Sequence, residues 1–345
     1  MRCSADDPPR DLADAAAVSV ATVNRVLAGA ANVRAPTRLL VQEAAERIGF
    51  YGLGTIQSRV AASRPKYRFG VLLLQPHRPF YQNIAAALRR AVAEVTSAEI
   101  DLRIEFLEDL SPQNTADRAL ALAKDCQALC IVAAVHPIVT EAVAQIQARG
   151  VHVFALVGQL SATGQVPYIG LDNWKVGRTA AWTFANVCKT PGKIGILLGN
   201  PRYRNQEMNE AGFRSYFREM ASEFTLLEPL STFEASAIAQ EMTEKLLAEH
   251  PDLVGLYISG GGISGALAAL RSAGKTEKIV AVGYDLFDVT RSALLDGTMT
   301  LVISHPLDRL AHDAMEAMVA ACAPISSPAN LTRVVPFEIY TRENL

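Results

Sequence analysis

Asp11-Leu-Ala-Asp-Ala-Ala-Ala-Val-Ser-Val-Ala-Thr-Val-Asn-Arg-Val-Leu27 carries two short amphipathic helices and the corner between them. Leu12, Ala13 and Ala16 share one helical face, and Val23, Val26 and Leu27 share another. Between the two, a small residue at Ala17 admits a turn and Val18 plugs its inside. Ser19 then stands ready to accept from the unsatisfied N–H groups of the following helix. This order predicts a tight helix-turn-helix. A third helix follows from Val41, Ala44, Ala45 and Ile48, spaced i, i+3, i+4, i+7, and it closes a core too small to hold without all three. On the second helix, positions 20, 21, 24 and 25 share a face. An arginine there can make a bidentate contact with guanine in the major groove.

The stretch resembles the DNA-reading head of the lactose-repressor (LacI) family of bacterial transcription regulators, which runs D-V-A-x-x-A-G-V-S-x-x-T-V-S-R-V-L-N and continues V-S-x-x-T-R. The resemblance implies that Val20, Ala21 and Arg25 touch base edges. It also implies that Ser19, Thr22, Asn24, Asn32 and Thr37 contact phosphates. Two positions depart from the pattern: Ala17 stands for a glycine, and Arg34 for the serine that caps the third helix. Loss of that cap costs about 1 kcal/mol, partly offset by the preset φ of Pro36 in the first turn.

A chain of 345 residues, half of them hydrophobic, is long enough for two or three domains with ample core. The net charge of −2 advertises no overall basic field. Residues 1 to 68, however, hold ten Arg or Lys against six Asp or Glu, a balance of 10 − 6 = +4, so the remainder carries −6. A basic end on an acidic body fits DNA binding confined to that end. Five unpatterned cysteines argue against a disulfide framework and for a reducing compartment. Cys126 and Cys130, read as one helical turn apart, lack the second Cys or His pair that a metal site needs, so buried thiols and no metal are expected. The opening Met-Arg-Cys-Ser-Ala-Asp-Asp has no apolar signal-peptide core, and no apolar run approaches the length of a membrane span. A cytoplasmic protein with no membrane association is expected.

From Phe69 onward, short apolar runs alternate with helical patterns, the arrangement of parallel sheets flanked by helices, and the fold class is α/β. Phe69–Leu74, Leu102–Leu107, Leu129–Ala134 and Val151–Val157 read as four strands, after which the cycle restarts beyond Pro167. Lys193–Leu198, Leu226–Leu230, Leu253–Ile258 and Ile279–Tyr284 read as a second set, with Met299–Ser304 and Val334–Ile339 as later strands. Two sheets on one plan put a cleft between two lobes. Residues 68 to 345 resemble the periplasmic-binding-protein-like effector domain of the same family through Tyr168-Ile-Gly-Leu-Asp-Asn-Trp-Lys-Val-Gly-Arg178, Ala281-Val-Gly-Tyr-Asp285 and His305-Pro306. The expected domains are a head over 1–48, a linker over 49–66 and an effector and dimerisation domain over 67–345. Its first lobe takes 67–167 and 304–325, its second 168–303 and 326–345.

In the family the linker forms a hinge helix that pairs with its dimer mate and wedges a leucine into the minor groove. Here the wedge is Val60, or Ile56 from the preceding turn, or absent, and Gly52 and Gly54 leave a flexible tether as the other reading.

A ligand belongs at the carboxyl ends of the strands. After the first strand comes Gln75-Pro-His-Arg-Pro-Phe-Tyr81, and the resemblance places Phe80 and Tyr81 against the apolar face of a sugar. It makes Asp285 the acceptor of paired hydroxyls, with a helix N-cap as the alternative. His136, Ser304 and His305 lie at comparable strand ends, and Trp174 beside Asp172 and Asn173 is expected to line the opening. The arginine that commonly clamps the effector is Asn209 here, before Gly212-Phe213, and the common asparagine is Ser259. Without that charge, unless Arg204 or Arg202 swings in, a neutral sugar or polyol is the better match.

Gly260-Gly-Gly-Ile-Ser-Gly265 follows an apolar strand and spells the dinucleotide fingerprint, with Asp285 twenty residues on. An NAD-dependent oxidoreductase is therefore the alternative from another class. The chain after the motif lacks room for a cofactor sheet and a catalytic domain. No nucleophile–base–orienter set emerges among the serines and scattered histidines. A sugar-binding protein without DNA binding is the third alternative, opposed by the head. The expectation is a homodimeric DNA-binding transcription regulator, not an enzyme and without cofactor, whose partners are operator DNA and a small sugar or polyol.

Overall fold

The computed structural model describes residues 8–30, 32–62, 64–323 and 330–345. The opening segment read for a signal peptide lies outside these residues, and so does the expected lobe boundary at 325/326. The chain divides into one unit of Met1–Lys66 with Thr96–Glu99, and another of Tyr67–Val95 with Ile100–Leu345.

In the first unit, α1 (Pro8–Ala15) and α2 (Val20–Leu27) flank the expected corner. Ser19 caps α2, its hydroxyl oxygen accepting from the Thr22 amide at 3.2 Å. Ala17 sits at φ +53°, the left-handed region where the family pattern has its glycine. Helix α3 (Ala35–Ile48) starts after Arg34 with no side-chain cap and a proline in its first turn, and ends on Gly49 at φ +65°. Arg47 donates to the Ala15 carbonyl at the end of α1 at 2.6 Å, where the last helical carbonyls lack intrahelical partners, and Arg38 donates to the Ala30 carbonyl at 2.8 Å.

The expected linker contains α4 (Leu53–Ala62). Ile56 is fully buried and Val60 nearly so, in one apolar cluster with Leu12, Val23, Val26 and Val41. These two residues therefore face inward and present no wedge. The physical reason is that Ile56 and Val60 stand four apart on one helical face, and the three-helix core has room for that face.

The second unit holds two sheets. The first contains β1 (Lys66–Leu74), β2 (Glu99–Leu107), β3 (Ala128–Ile131), β4 (His152–Leu156), β5 (Tyr168–Leu171) and β12 (Arg333–Val335), in the order β12-β5-β4-β3-β1-β2. Helices α5 (Pro79–Glu94), α6 (Pro112–Leu122) and α7 (Pro137–Ala148) connect its strands. The second contains β6 (Lys193–Leu198), β7 (Thr225–Leu226), β8 (Leu230–Ser231), β9 (Leu253–Ser259), β10 (Val280–Tyr284), β11 (Leu301–Ser304) and β13 (Glu338–Tyr340). Its order is β13-β11-β10-β9-β6-β7, with β8 also on β6 and β13 antiparallel to β11. Helices α8 (Asn173–Val187), α9 (Arg204–Met220), α10 (Ser236–Glu249), α11 (Ile263–Ser272) and α12 (Asp288–Leu295) accompany it, and α13 (Leu307–Cys322) packs on α5 of the first lobe. The chain thus crosses between lobes three times: at Asp172, at His305–Pro306 and at Pro336–Phe337.

Strand membership corrects the expected lobe limits. Residues 168–171 belong to the first sheet, because β5 pairs with β4 on one side and β12 on the other. The run read as one strand over 334–339 is two strands in different sheets, separated by Pro336, whose missing N–H cannot continue a ladder. Pro229 splits the run at 226–230 into β7 and β8 in the same way. Cys126 and Cys130 share no helix: Cys130 lies in β3 with its sulfur 3.4 Å from that of Met318, and burial pushes its thiol up to about 12.

Candidate functional site

Helix α2 presents Ala21, Asn24 and Arg25 to solvent, Thr22 half-buried beside them and Ser19 exposed at its start. Val20 is half-buried against the head core. Arg25 lies along this face, its Nε donating to the Ala21 carbonyl at 3.2 Å and its Nη2 to the Thr22 hydroxyl at 3.3 Å. Asn32 is exposed and Thr37 half-buried in the first turn of α3. The arginine is thus parked among short side chains, free to extend toward a partner.

In the body, a cavity of about 530 Å³ opens between the lobes. The first lobe contributes the Gln75–Tyr81 loop, Val157 and Leu171; the second contributes the start of α9, the turn before α10 and the ends of β9 and β10. Gln75, Val157, Phe233, Glu234 and Asp285 all line it and all have positive φ, and among the described residues only Ala17 and Glu277 otherwise do so without being glycine. Each such residue costs about 1–2 kcal/mol, and strain of this kind gathers where side chains must be aimed.

Asp285 illustrates the aim. At φ +62° its Oδ1 accepts from the His305 amide at 3.0 Å and meets His305 Nδ1 at 2.8 Å. With the proton on Nδ1, Nε2 becomes an acceptor, and this atom is buried without a protein partner. The imidazole packs on Phe80 at 5.3 Å between centroids, and Phe80 in turn meets Tyr81 edge-on at 5.1 Å. Asp285 does not cap α12, whose N-cap is Phe287. The Tyr284 hydroxyl meets that of Tyr257 at 2.5 Å, and burial pushes both phenols up, so both stay neutral. Burial does the same for Tyr81.

Asn209 and Ser259 line the cavity, and beside it α8 and α9 touch backbone to backbone. A side chain at Gly177 would collide with the Asn209 carbonyl, and one at Gly212 with that of Trp174. The Asn209 amide nitrogen, oriented toward Asn173, lies 3.2 Å from its Oδ1 and 3.0 Å from its carbonyl, which leaves the amide oxygen toward the Ser259 hydroxyl. Asn173 donates to the Tyr168 hydroxyl at 3.0 Å, and the single proton of that hydroxyl is shared between the carbonyl oxygens of Val157 and Leu171, at 3.0 and 2.9 Å. Asp172 caps α8 by accepting from the Lys175 amide at 3.1 Å. This crossing is accordingly a braced hinge.

Four expected residues lie elsewhere. His136 caps α7, its Nδ1 accepting from the Ile138 amide at 3.2 Å, and borders a separate cavity with Arg202 and Tyr203. Trp174 and Arg204 line an outer groove, with Arg204 paired to Glu207 at 2.9 Å. Ser304 sits behind the cavity and accepts from the Leu286 amide at 3.2 Å. Helix phase explains Trp174: it follows Asn173 by one position, about 100° round α8.

Unanticipated in the cavity are Arg78, Gln206, Glu234 and Tyr284. Arg78 lay inside a loop already singled out, but nothing local marks Glu234. The glycine turn at 260–262 leads into α11 within the second lobe, and Gly261 backs onto Arg78 and Glu234.

Two family models match: residues 10–52 fit the lacI family of bacterial regulatory proteins, and residues 72–323 fit the periplasmic binding protein domain. The chain belongs to the LacI family, with a periplasmic-binding-protein body. Neither of the two models is that of an enzyme family. Among curated proteins, this LacI-family chain is 30% identical over 135 residues to a D-ribose/D-allose-binding protein of Pseudomonas aeruginosa, covering 38% of this chain and 41% of that protein. It is 27% identical over 180 residues to a D-apiose import binding protein of Actinobacillus succinogenes, covering 51% and 57%. The chain therefore spans about half the length of the curated relatives it matches. Among solved structures, a solute binding protein of Burkholderia graminis in complex with D-arabinose superposes with a TM-score of 0.75 at 16% identity, covering 82% of this chain and 98% of that one. One from Actinobacillus succinogenes with bound D-allose gives 0.71 at 18%, covering 81% and 98%. These likenesses establish the fold of the body. Among the described residues, no helix is long and apolar enough to cross a membrane.

Proposed function

We propose that this LacI-family protein is a homodimeric, cytoplasmic repressor of transcription whose affinity for a near-palindromic operator is set by a neutral sugar or polyol held between the lobes. The observation that carries the ligand class is the Asp285–His305 pair beside the Phe80 ring. A carboxylate oxygen and an imidazole nitrogen accept from adjacent hydroxyls, while the ring covers an apolar C–H face. Asn209, Ser259 and Tyr284 add neutral donors and acceptors. A volume of about 530 Å³ suits a small ligand. The curated relatives are binding proteins for D-ribose, D-allose and D-apiose, all neutral sugars, which favours the same class.

On the head, Arg25 and Ala21 would read base edges while Ser19, Thr22, Asn24, Asn32 and Thr37 hold phosphates. Val20 would meet the groove with the part of its side chain that the core leaves open. With Ile56 and Val60 in the head core, control would pass through the spacing of two heads and need no minor-groove wedge. A thermal-shift screen of the full chain against pentoses, hexoses, polyols and their phosphates tests the ligand class, since a ligand stabilises the state that binds it by mass action. A rise in Tm with one or a few neutral sugars or polyols is expected. A rise confined to phosphorylated or acidic compounds would contradict the reading.

A further inference from the structure

Arg78 is the one lysine or arginine among the described residues lining the cavity, and it is already occupied. It stands at the foot of α5 in the first lobe, and its Nη1 meets Glu234 Oε2 of the second lobe at 2.6 Å, while Nη2 donates to the Glu234 carbonyl. Both side chains are largely buried, at 19% and 11% exposure. Glu234 is in turn immobilised: Gln206 Nε2 donates to its Oε1 at 2.7 Å, and Gln206 Oε1 accepts from the amides of Gly199 and Asn200 at 2.8 and 3.0 Å. The chain holds Phe233 and Glu234 in consecutive left-handed conformations to deliver this carboxylate.

The glycine-rich turn that mimics a dinucleotide fingerprint has its explanation here. A Cβ at Gly261 would collide with both Glu234 Oε2 and Arg78 Nη1, and one at Gly199 with Glu234 Oε1. The glycines vacate the space that the ion pair fills. Where a phosphate-binding turn leaves its amides open to an anion, this turn is backed by a carboxylate.

We propose that Glu234 is a specificity-determining residue: it occupies the cavity's arginine so that the cleft accepts an uncharged polyhydroxylated ligand and rejects the carboxylated or phosphorylated counterpart. This rests on the reading of the cleft as a neutral-sugar site. A ligand anion entering the cleft meets Asp285 and Glu234 with no unpaired guanidinium to receive it, so its desolvation goes uncompensated. Removing the negative charge of Glu234 while keeping its shape leaves Arg78 free to form a charge-assisted pair with such an anion.

Isothermal titration calorimetry on the full chain tests this with D-ribose, D-allose and D-arabinose against D-ribose 5-phosphate, D-gluconate and D-glucuronate. The parent should bind from the neutral set only. Glu234→Gln should raise affinity for at least one anion by about tenfold or more, and the double variant Arg78→Gln/Glu234→Gln should lose that gain. Should Glu234→Gln fail to fold by circular dichroism, Gly261→Ala, whose methyl group intrudes on the pair, should raise anion affinity in the same direction. A parent that binds the anions as tightly as the sugars, a folded Glu234→Gln or Gly261→Ala with no anion gain, or a gain that survives loss of Arg78 overturns the proposal. A parent that binds no neutral sugar, combined with an Arg78-dependent gain in the variant, would instead sink the neutral-sugar reading and leave the role of Glu234 standing.

Discussion

Asp285 does two things at once: it fixes the orientation of His305 and offers its carboxylate to the cavity. Its replacement by alanine should therefore weaken ligand binding by about 1.5–3 kcal/mol, the range for a hydrogen bond to a charged group, while ligand-free operator affinity stays at the parent level. Calorimetry with the ligand found by screening measures the first, and a DNA titration the second. Ala17 gives a test of opposite sign. It occupies φ +53° at the cost of a left-handed Cβ, so Ala17→Gly should stabilise the head by about 1 kcal/mol, seen as slower amide exchange in α1 and α2. Faster exchange would mean that the corner does not demand that conformation. At this scale the sequence exposes residues whose role is local. Phe80, Tyr81, Asp285 and His305 follow strand ends that hydrophobic patterning reveals, and the structure gathers them. Glu234 was illegible because its partner Arg78 lies 156 positions away. His136, Trp174 and Arg204 failed because lying near a strand end does not decide which way a side chain points.

Helix α4 is the element whose placement departs furthest from expectation. Its Ile56 completes the head core, and Ile56→Ala should destabilise that unit by about 2–5 kcal/mol. Hydrogen exchange should speed up throughout α1 to α4 while the sheets of the body are unaffected; exchange confined to α4 would show a helix that merely rests there. The same limit explains β5 and β12. Patterning does not single out the four-residue run Tyr168–Leu171 as a strand, and the sheet it joins depends on β4 and β12, one of them more than 160 residues distant. Prolines were more informative than the runs themselves: Pro229 and Pro336 mark the breaks that hydrophobicity alone runs through.

Across the whole molecule, buried acids set an alkaline limit. Burial holds Cys130 at about 12 and Cys188 and Cys322 at about 11, against an ordinary value of 9.0. Below pH 9 these thiols are protonated folded or unfolded and contribute no pH dependence. Between 9 and about 11 to 12 the unfolded chain loses protons that the folded chain keeps, so stability must fall as pH rises through that window. Urea midpoints of the parent at pH 8 and pH 10.5 should show the drop, and a Cys130→Ala variant should show a smaller one. An equal drop in both would place the cause elsewhere.

Under the proposed function, a sugar between the lobes and DNA on α2 each bias the state of one molecule. Coupling of this kind is reciprocal and typically amounts to about 5–150-fold. DNA enriched by the purified full chain from a random duplex pool, labelled and titrated by fluorescence anisotropy with and without the sugar identified in the thermal-shift screen, measures it directly. A single enriched near-palindromic site is expected, whose Kd changes at least about fivefold on saturation with the sugar. No enriched site at low salt, or the same Kd with the cleft empty and filled, would contradict it.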